Sequence, residues 1–598
     1  MTPVAFTTAH PRRGLRVLAL ACVLALAAGA CTQGADGESR PGETPEPGGT
    51  LRIAAGGDVD SLDPGRTYTT FGFMLFRVMV RTLVSYAPKP GEAGNKLVPD
   101  LAEDTPTVSP DGLTYTFVLR PGVRYQPEIA AGREVRSEDF RYAIERGFYA
   151  SVSNPYADLY FGDVFAGDEK FIAAPSHKTH IDGIDVSDPR KLVLRLKRPV
   201  GDLLWRLALP LAAPVPPEYA IPLDGGTESS YGDAFASSGP YQIERQNATV
   251  TGYVPGKAIR MVRNPNWDAR TDPIRKAYPD RIEVTGGFAD LAAATGKILA
   301  GEMDYNGDFP IPPEQQKDIL SSASTKDLIH YNATSCMRYV SMNATIPPFD
   351  NPLVRKAVNY ALDKRGMRAV RGGERTGSIA THVLLPGLPG FKEVGQKDYD
   401  PYSSRDFAGD VEKARDLMRE AGYPTGLYTG PSVVMAGEAS EIERRTGDVI
   451  VSSLEKIGIK VRREEHKRPA LLARMGVQKS GIAIGASAAW CWDYPDAYTV
   501  IAPLFDGRRI REKGNTNYSQ INSPSLNELI DKASGASGDD RAAAWAAADK
   551  FVMDLAPVVP WLWDSSPHLV SPRVVGYQFA LSSVSMDLAV AAVRQDQE

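Results

Sequence analysis

The densest group of chemically capable side chains in the 598 residues is Ala489-Trp-Cys-Trp-Asp-Tyr-Pro-Asp-Ala497, where two indoles flank a cysteine and two carboxylates stand three positions apart. Two arrangements account for such a stretch. In the first, a core strand packs its tryptophans while Asp493 and Asp496 shape a turn around Pro495. In the second, the stretch is a pocket wall in which rings offer area and one carboxylate offers charge.

Other patterns carry less chemistry. His177 and His180 are spaced for one metal, but they lie in the polar, loop-like Pro175-Ser-His-Lys-Thr-His180 and read as a solvated pair, so no metal and no cofactor is assigned. Gly485-Ala-Ser-Ala-Ala489 approaches a nucleophile elbow around Ser487 but lacks the final glycine. Gly296-Lys297 is followed by isoleucine instead of Ser or Thr, so no phosphate-binding loop is present there. Of the four cysteines, Cys22 lies within a leader and Cys31 at its end, which leaves Cys336 and Cys491 as one disulfide or as two buried free thiols.

The elements that must position these residues begin after that leader. Arg12, Arg13 and Arg16 precede an apolar run from Leu15 to Ala30, the pattern of a secretory signal peptide. Leu26-Ala-Ala-Gly-Ala-Cys31 resembles a bacterial lipobox with Cys31 as the lipid-carrying residue, although Ala28 stands where a large aliphatic residue is usual. Loss of the three leader arginines moves the formal charge from -5 to -8, which disfavours nucleic acid as a partner. The Gly/Pro/Glu-rich stretch from Thr32 to Thr50 reads as a flexible tether.

Leu51, Ile53 and Ala55 alternate as a first strand, and Tyr115 to Arg120 and Lys191 to Lys197 alternate likewise, with Leu192, Leu194 and Leu196 inward. Ser137 is expected to cap a helix carrying Phe140, Ala143 and Ile144 on one face. Asn351-Pro352 opens a helix with Val354, Ala357, Val358, Ala361 and Leu362 at helical spacing, and Asp410 opens another that stops at Gly422. A third helix ends at Gly458, before a strand at Ile459 to Val461, so residues 336 to 500 alternate as an α/β lobe.

The order and spacing of several motifs resemble the extracellular solute-binding proteins of the peptide and nickel ABC transporters, within them the oligopeptide-binding lipoproteins. They are Gly48-Gly-Thr-Leu-Arg-Ile53, Ser61-Leu-Asp-Pro64, Ser109 to Val123, Ser238-Gly-Pro-Tyr241, Arg263-Asn-Pro265, Phe349 to Asp363, Glu420-Ala-Gly-Tyr-Pro424 and Trp490-Cys-Trp-Asp-Tyr-Pro-Asp496. The resemblance implies an α/β, two-lobed periplasmic-binding-protein fold of the flytrap type, with a subdomain inserted in the N-terminal lobe.

The organisation it implies is a signal peptide over 1-30, a lipidated tether over 31-47, a discontinuous lobe I of 48-80, 189-335 and 565-598, an insert of 81-188, and a lobe II of 336-564. It pairs Cys336 with Cys491 and makes Asp493 the acceptor for a peptide's N-terminal ammonium. The backbone of Ala489 to Cys491, with Trp490 and Trp492 beside it, would take the peptide main chain as an added strand. Tyr68, Thr69 and Thr70, on the loop after Ser61-Leu-Asp-Pro64, would supply the facing wall.

The function so implied is binding without catalysis. A monomer, anchored by Cys31 to the outer face of the cell membrane, captures a short peptide and presents it to an ABC permease. The rival readings are the same trap with a metal chelate, an oligosaccharide or a signalling peptide, and a secreted hydrolase with Ser487 as nucleophile.

Overall fold

The alternating run after Gly49 forms β1 (Thr50–Ala54), with Leu51 and Ile53 fully buried. β1 runs parallel to Arg281–Thr285 on one side and Tyr305–Asn306 on the other. Ala258–Arg263 extends this six-stranded sheet antiparallel, pairing in turn with Tyr253–Val254 and Tyr241–Ile243. The chain between these segments builds a separate four-stranded antiparallel sheet from Thr107–Val108, Thr114–Val118, Lys191–Arg195 and Ile184–Asp188. Leu192, Leu194 and Leu196 are all buried there, as period-two alternation requires of a half-buried sheet. Two helices from this half reach the site: α1 (Thr70–Met79) and the short α2 (Ala157–Phe161).

A second six-stranded sheet has the order Gly377–Ser378, Val558–Leu569, Ile329–Met342, Ile484–Cys491, Val433–Glu438, Val461–His466. Its named strands are β2 (Ile329–Met342), β3 (Val433–Glu438), β4 (Ile484–Cys491) and β5 (Val558–Leu569). β2 and β5 pair antiparallel along most of their length. At one end Ile329 lies opposite Leu569, and both pack with Ala54 and Ile298 in the core beside β1. At the other end Ser341 lies opposite Val558, whose carbonyl accepts from Asn359 in the helix Pro352–Ala361. The β2/β5 register shifts between Ala333 and Met337, between these two ends.

The computed structural model describes residues 44–247, 249–580 and 585–594, with the side chains of 332–334 and 580 excepted. The leader, Cys31 and most of the tether therefore lie outside the described residues.

Local capping explains the predicted helices. Asn351 accepts from Leu353 N, ahead of Pro352 at the first turn, and Asp410 accepts from Lys413 N. Ser137 is not the cap expected of it. Its hydroxyl donates to Asp188 O, and the helix Ser137–Arg146 is instead closed by the Asp139 carboxylate accepting from Arg136 N. An acid at the third helical position reaches back to the preceding amide, so the serine is free to tie the helix to a neighbouring strand.

Candidate ligand-binding site

β4 sits between β2 and β3, but its two sides are used unequally. Against β2 it pairs along its length, with Cys336 opposite Cys491, Met337 opposite Trp490 and Arg338 opposite Ala489. Cys336 and Cys491 form a disulfide across this pair, with Cα atoms 3.9 Å apart. Trp492 N donates to Ser335 O, so 335/492 is a hydrogen-bonded pair and 336/491 is a close, non-bonded one. The alternation then directs the main-chain N–H and C=O of Ala489 and Cys491 away from β2. On that side β3 pairs only with Ile484 and Gly485. Beyond Gly485 that edge is unpaired by any strand among the described residues.

Asp493 stands two residues past the end of β4. The hydroxyls of Tyr68, at 2.8 Å, and of Tyr160 on α2 both donate to its Oδ2. Oδ1 has no partner among the described residues. Asp493 keeps some contact with solvent through a cavity it lines, yet protein atoms surround it closely enough to hydrate its charge poorly. Burial drives its pKa from the ordinary 3.8 up to about 7, against the two tyrosine hydrogen bonds, which pull it down. Burial first, then the charge of Asp493, pushes the Tyr68 and Tyr160 hydroxyls well above their usual range, so both remain donors at neutral pH.

No Arg, Lys or His pairs with Asp493 among the described residues, although burial raises its pKa to about 7. Every fully buried carboxylate in the described chain has a cationic partner. Asp63 and Asp224 share Arg146, Asp100 and Asp272 share Arg81 and Arg275, and Asp202 has Arg206. The remainder pair with other basic side chains, as Asp549 does with His382 and Asp587 with Arg77. Asp496, the second carboxylate of the motif, belongs to this majority. It takes Arg541 at 2.7 Å and caps the turn through Tyr498 N. Asp496 thus has the turn role of the first arrangement, while Asp493 lines a cavity.

The predicted residues are placed as follows. Tyr68 meets Asp493 directly and stacks on Tyr156 with ring centroids 4.6 Å apart. Thr69 caps α1 through Gly72 N and donates to Asp60, and Thr70 opens the helix; both are exposed and neither touches Asp493. Trp490 donates from its indole to Thr499 O. Trp492 is buried, with no partner for its indole N–H. Ser487 accepts from Glu438 N and lies against Glu443 instead of a histidine. His180 contacts Glu145 and His177 packs on Tyr149, and no group of metal-ligating side chains occurs among the described residues.

Sequence reasoning did not find Tyr160, or Tyr86, which lines the same cavity and whose buried hydroxyl has no partner. Tyr494, next to Asp493, donates to Asp202, and Tyr498 donates to Leu159 O. These two bonds tie the motif to the half of the molecule that carries α1 and α2.

Comparison with known proteins gives a matching family model, two relatives and two solved structures. The model of bacterial extracellular solute-binding proteins, family 5 Middle, matches residues 96–512. Heme-binding protein A of Haemophilus influenzae is 26% identical over 487 residues, which span 80% of this chain and 81% of that protein. Glutathione-binding protein GsiB of Escherichia coli K12 is 26% identical over 458 residues, 76% and 77% of the two chains. The solved structure of Clavulanic acid biosynthesis oligopeptide binding protein 2 superposes with a TM-score of 0.82 at 32% identity, covering 92% of this chain and 96% of that one. The Helicobacter pylori binding protein DppA in complex with the peptide STSA shares the fold, with a TM-score of 0.74 at 21% identity over 92% and 99% of the chains.

Proposed function

Because the chain belongs to the family 5 extracellular solute-binding proteins of ABC importers, we propose that it captures short peptides between its two lobes and hands them to a permease. One observation carries this reading: half-buried Asp493, with its pKa raised by burial to about 7, has no cationic partner, whereas every fully buried carboxylate among the described residues has one. A ligand ammonium at Oδ1 would supply the missing charge and fix the ligand's register. The free edge at Ala489 and Cys491 would accept the peptide main chain as an added strand, so affinity would depend little on most side chains. Lobe I is taken as 48–80, 189–335 and 565–598, the insert as 81–188, and lobe II as 336–564.

The relatives named for heme and for glutathione bear on the ligand. Glutathione carries a free ammonium and suits the same carboxylate, whereas heme carries none. Calorimetric titration of residues 32–598 with free and N-acetylated di- to hexapeptides, and with glutathione, tests the reading. Micromolar binding that acetylation abolishes supports it. Equal binding of acetylated peptides, or a copurifying ligand without an amine, refutes it. Attachment to the outer face of the membrane through Cys31, with the protein acting as a monomer, belongs to the same proposal. Cys31→Ser should move the protein from the membrane fraction to the medium, and continued membrane association would refute the anchor.

A further inference from the structure

Tyr68, one of the two donors to Asp493, sits in the segment of turns that joins β1 to α1. That segment is gathered around one carboxylate. Asp60 Oδ1 accepts from Thr67 Oγ1 and from Thr69 Oγ1, each at 2.8 Å, and its Oδ2 accepts from Tyr68 N. Thr67 is buried, and Thr69 in turn accepts from Gly72 N as the cap of α1. The three donors belong to consecutive residues. One side chain therefore fixes the backbone at Tyr68 and on both sides of it, and with the backbone the direction in which the phenol leaves the loop. The packing is close enough that a methyl group at Gly72 would collide with Thr67 Oγ1 and come within 3.2 Å of Asp60 Oδ1. The other donor to Asp493 is held separately. Asn154 Nδ2 donates to Gly65 O, and its Oδ1 accepts from Tyr156 N at 2.8 Å and from Ala157 N at the start of α2, which carries Tyr160.

Resting on the ammonium reading of Asp493, we propose that Asp60 is a positioning residue for ligand capture, which never meets the ligand and acts by holding Tyr68 so that its hydroxyl reaches Asp493. Without Asp60, Tyr68 withdraws one of the two hydrogen bonds that favour the carboxylate, and the Asp493 pKa rises further. Loss of the Asp60 charge acting through space has the opposite sign, because one negative charge fewer nearby favours ionisation of Asp493. The direction of the pH effect therefore separates position from charge. The other ionisable groups facing Asp493 are Tyr86, Tyr156 and Tyr160, with Arg77 and Arg275 on the cavity it lines, and they are the same in every variant compared.

The test is calorimetry on the intact mature chain from pH 5 to pH 8 with Ala-Ala-Ala and N-acetyl-Ala-Ala-Ala. It compares wild type, Asp60→Ala, Asp60→Asn, Tyr68→Phe and the double variant Asp60→Ala/Tyr68→Phe. Asp60→Ala should weaken binding of the free tripeptide about fivefold at pH 7 and move the pH at which affinity is half lost upward. Asp60→Asn keeps an acceptor for the Tyr68 amide without the charge, and should restore most of the affinity. Adding Asp60→Ala to Tyr68→Phe should cost nothing beyond Tyr68→Phe alone. Equal losses in the alanine and asparagine variants with the midpoint moved downward, or losses that multiply in the double variant, would overturn the proposal and leave the ammonium site standing. Wild type that binds both tripeptides alike, or neither, would overturn the ammonium reading and the role of Asp60 with it. A further variant guards against an Asp60 replacement that fails to fold: Gly72→Ala presses on Thr67 and Asp60 from α1 while leaving both in place. With its fold checked by thermal melting, it should reproduce the weaker binding and the upward midpoint, and unchanged affinity would overturn the assignment.

Discussion

Replacing Asp493 by asparagine keeps the shape and the acceptor for Tyr68 and Tyr160 while removing the charge, so it separates electrostatics from packing. A carboxyl whose pKa climbs from 3.8 to about 7 on enclosure loses about 4 kcal/mol of ionised-state free energy at neutral pH. On the proposed reading an empty closed form would bear that penalty, and a bound ammonium would relieve it. The asparagine variant should therefore close more readily without ligand, which small-angle scattering would register as a smaller radius of gyration. Free-amine peptides should at the same time lose about 2 to 5 kcal/mol of binding, because their ammonium would be enclosed without a counter-charge. That is a loss of about 30-fold to a few thousandfold in Kd by calorimetry. N-acetylated peptides should gain relative to free ones. Binding of free-amine peptides within threefold of wild type would refute the reasoning, whatever happened to the scattering.

Between pH 7 and pH 4 an enclosed Asp493 would bind up to one more proton than an open, hydrated one, so acidification would favour empty closure and compete with an ammonium. Calorimetry from pH 8 to pH 5 should show affinity falling below pH 7, with the asparagine variant flat; a flat wild type would count against the coupling. Tyr160→Phe removes one of the two donors to Oδ2, which destabilises the carboxylate and should weaken peptide binding about fivefold, by roughly 1 kcal/mol; unchanged affinity in titration would show that Tyr68 suffices. Replacing Cys336 and Cys491 together by serine releases the strand end that carries Asp493. It should lower stability in urea unfolding by about 2 to 4 kcal/mol and weaken binding in parallel; unchanged values of both would remove the disulfide from the argument.

What the sequence made legible follows the range of the interactions involved. The helices Pro352–Ala361 and Val411–Glu420 are set by caps two or three residues from the positions they serve, so their signals are local. The first strand and the Lys191–Arg195 strand are set by alternation against a single core face. The capping error at Ser137 has a local cause too: two capping acceptors stood within three residues, and the carboxylate won. The site is different. Tyr160 lies 333 residues from Asp493 and Tyr68 lies 425 away, and no spacing rule links them. The stretch Asn154 to Phe161, with its three aromatic residues, is indistinguishable by composition from core. Asp493 itself was assigned through the family motif; its neighbours Phe73, Tyr86 and Leu209 lie in segments without one. Thr69, polar and on the expected loop, proved to be occupied with capping α1.

The two acids of the motif show how a binding protein can make closure conditional on ligand. Asp496 and Asp202, joined through Arg541, Arg206 and Tyr494, are in complete charge balance. This network needs no ligand to neutralise it. Asp493 lies three residues away on the same turn but meets only hydroxyls from the facing half. Hydroxyls can solvate a carboxylate in part but cannot neutralise it, so enclosure leaves a residual penalty that only a proton or a bound cation removes. If Asp493 had an arginine of its own, the empty lobes would close as well as the filled ones, and the permease could not tell them apart. On the proposed reading, the unpaired charge would weaken an empty closed state by about 4 kcal/mol, roughly a thousandfold in population, and an arriving ammonium would restore the balance.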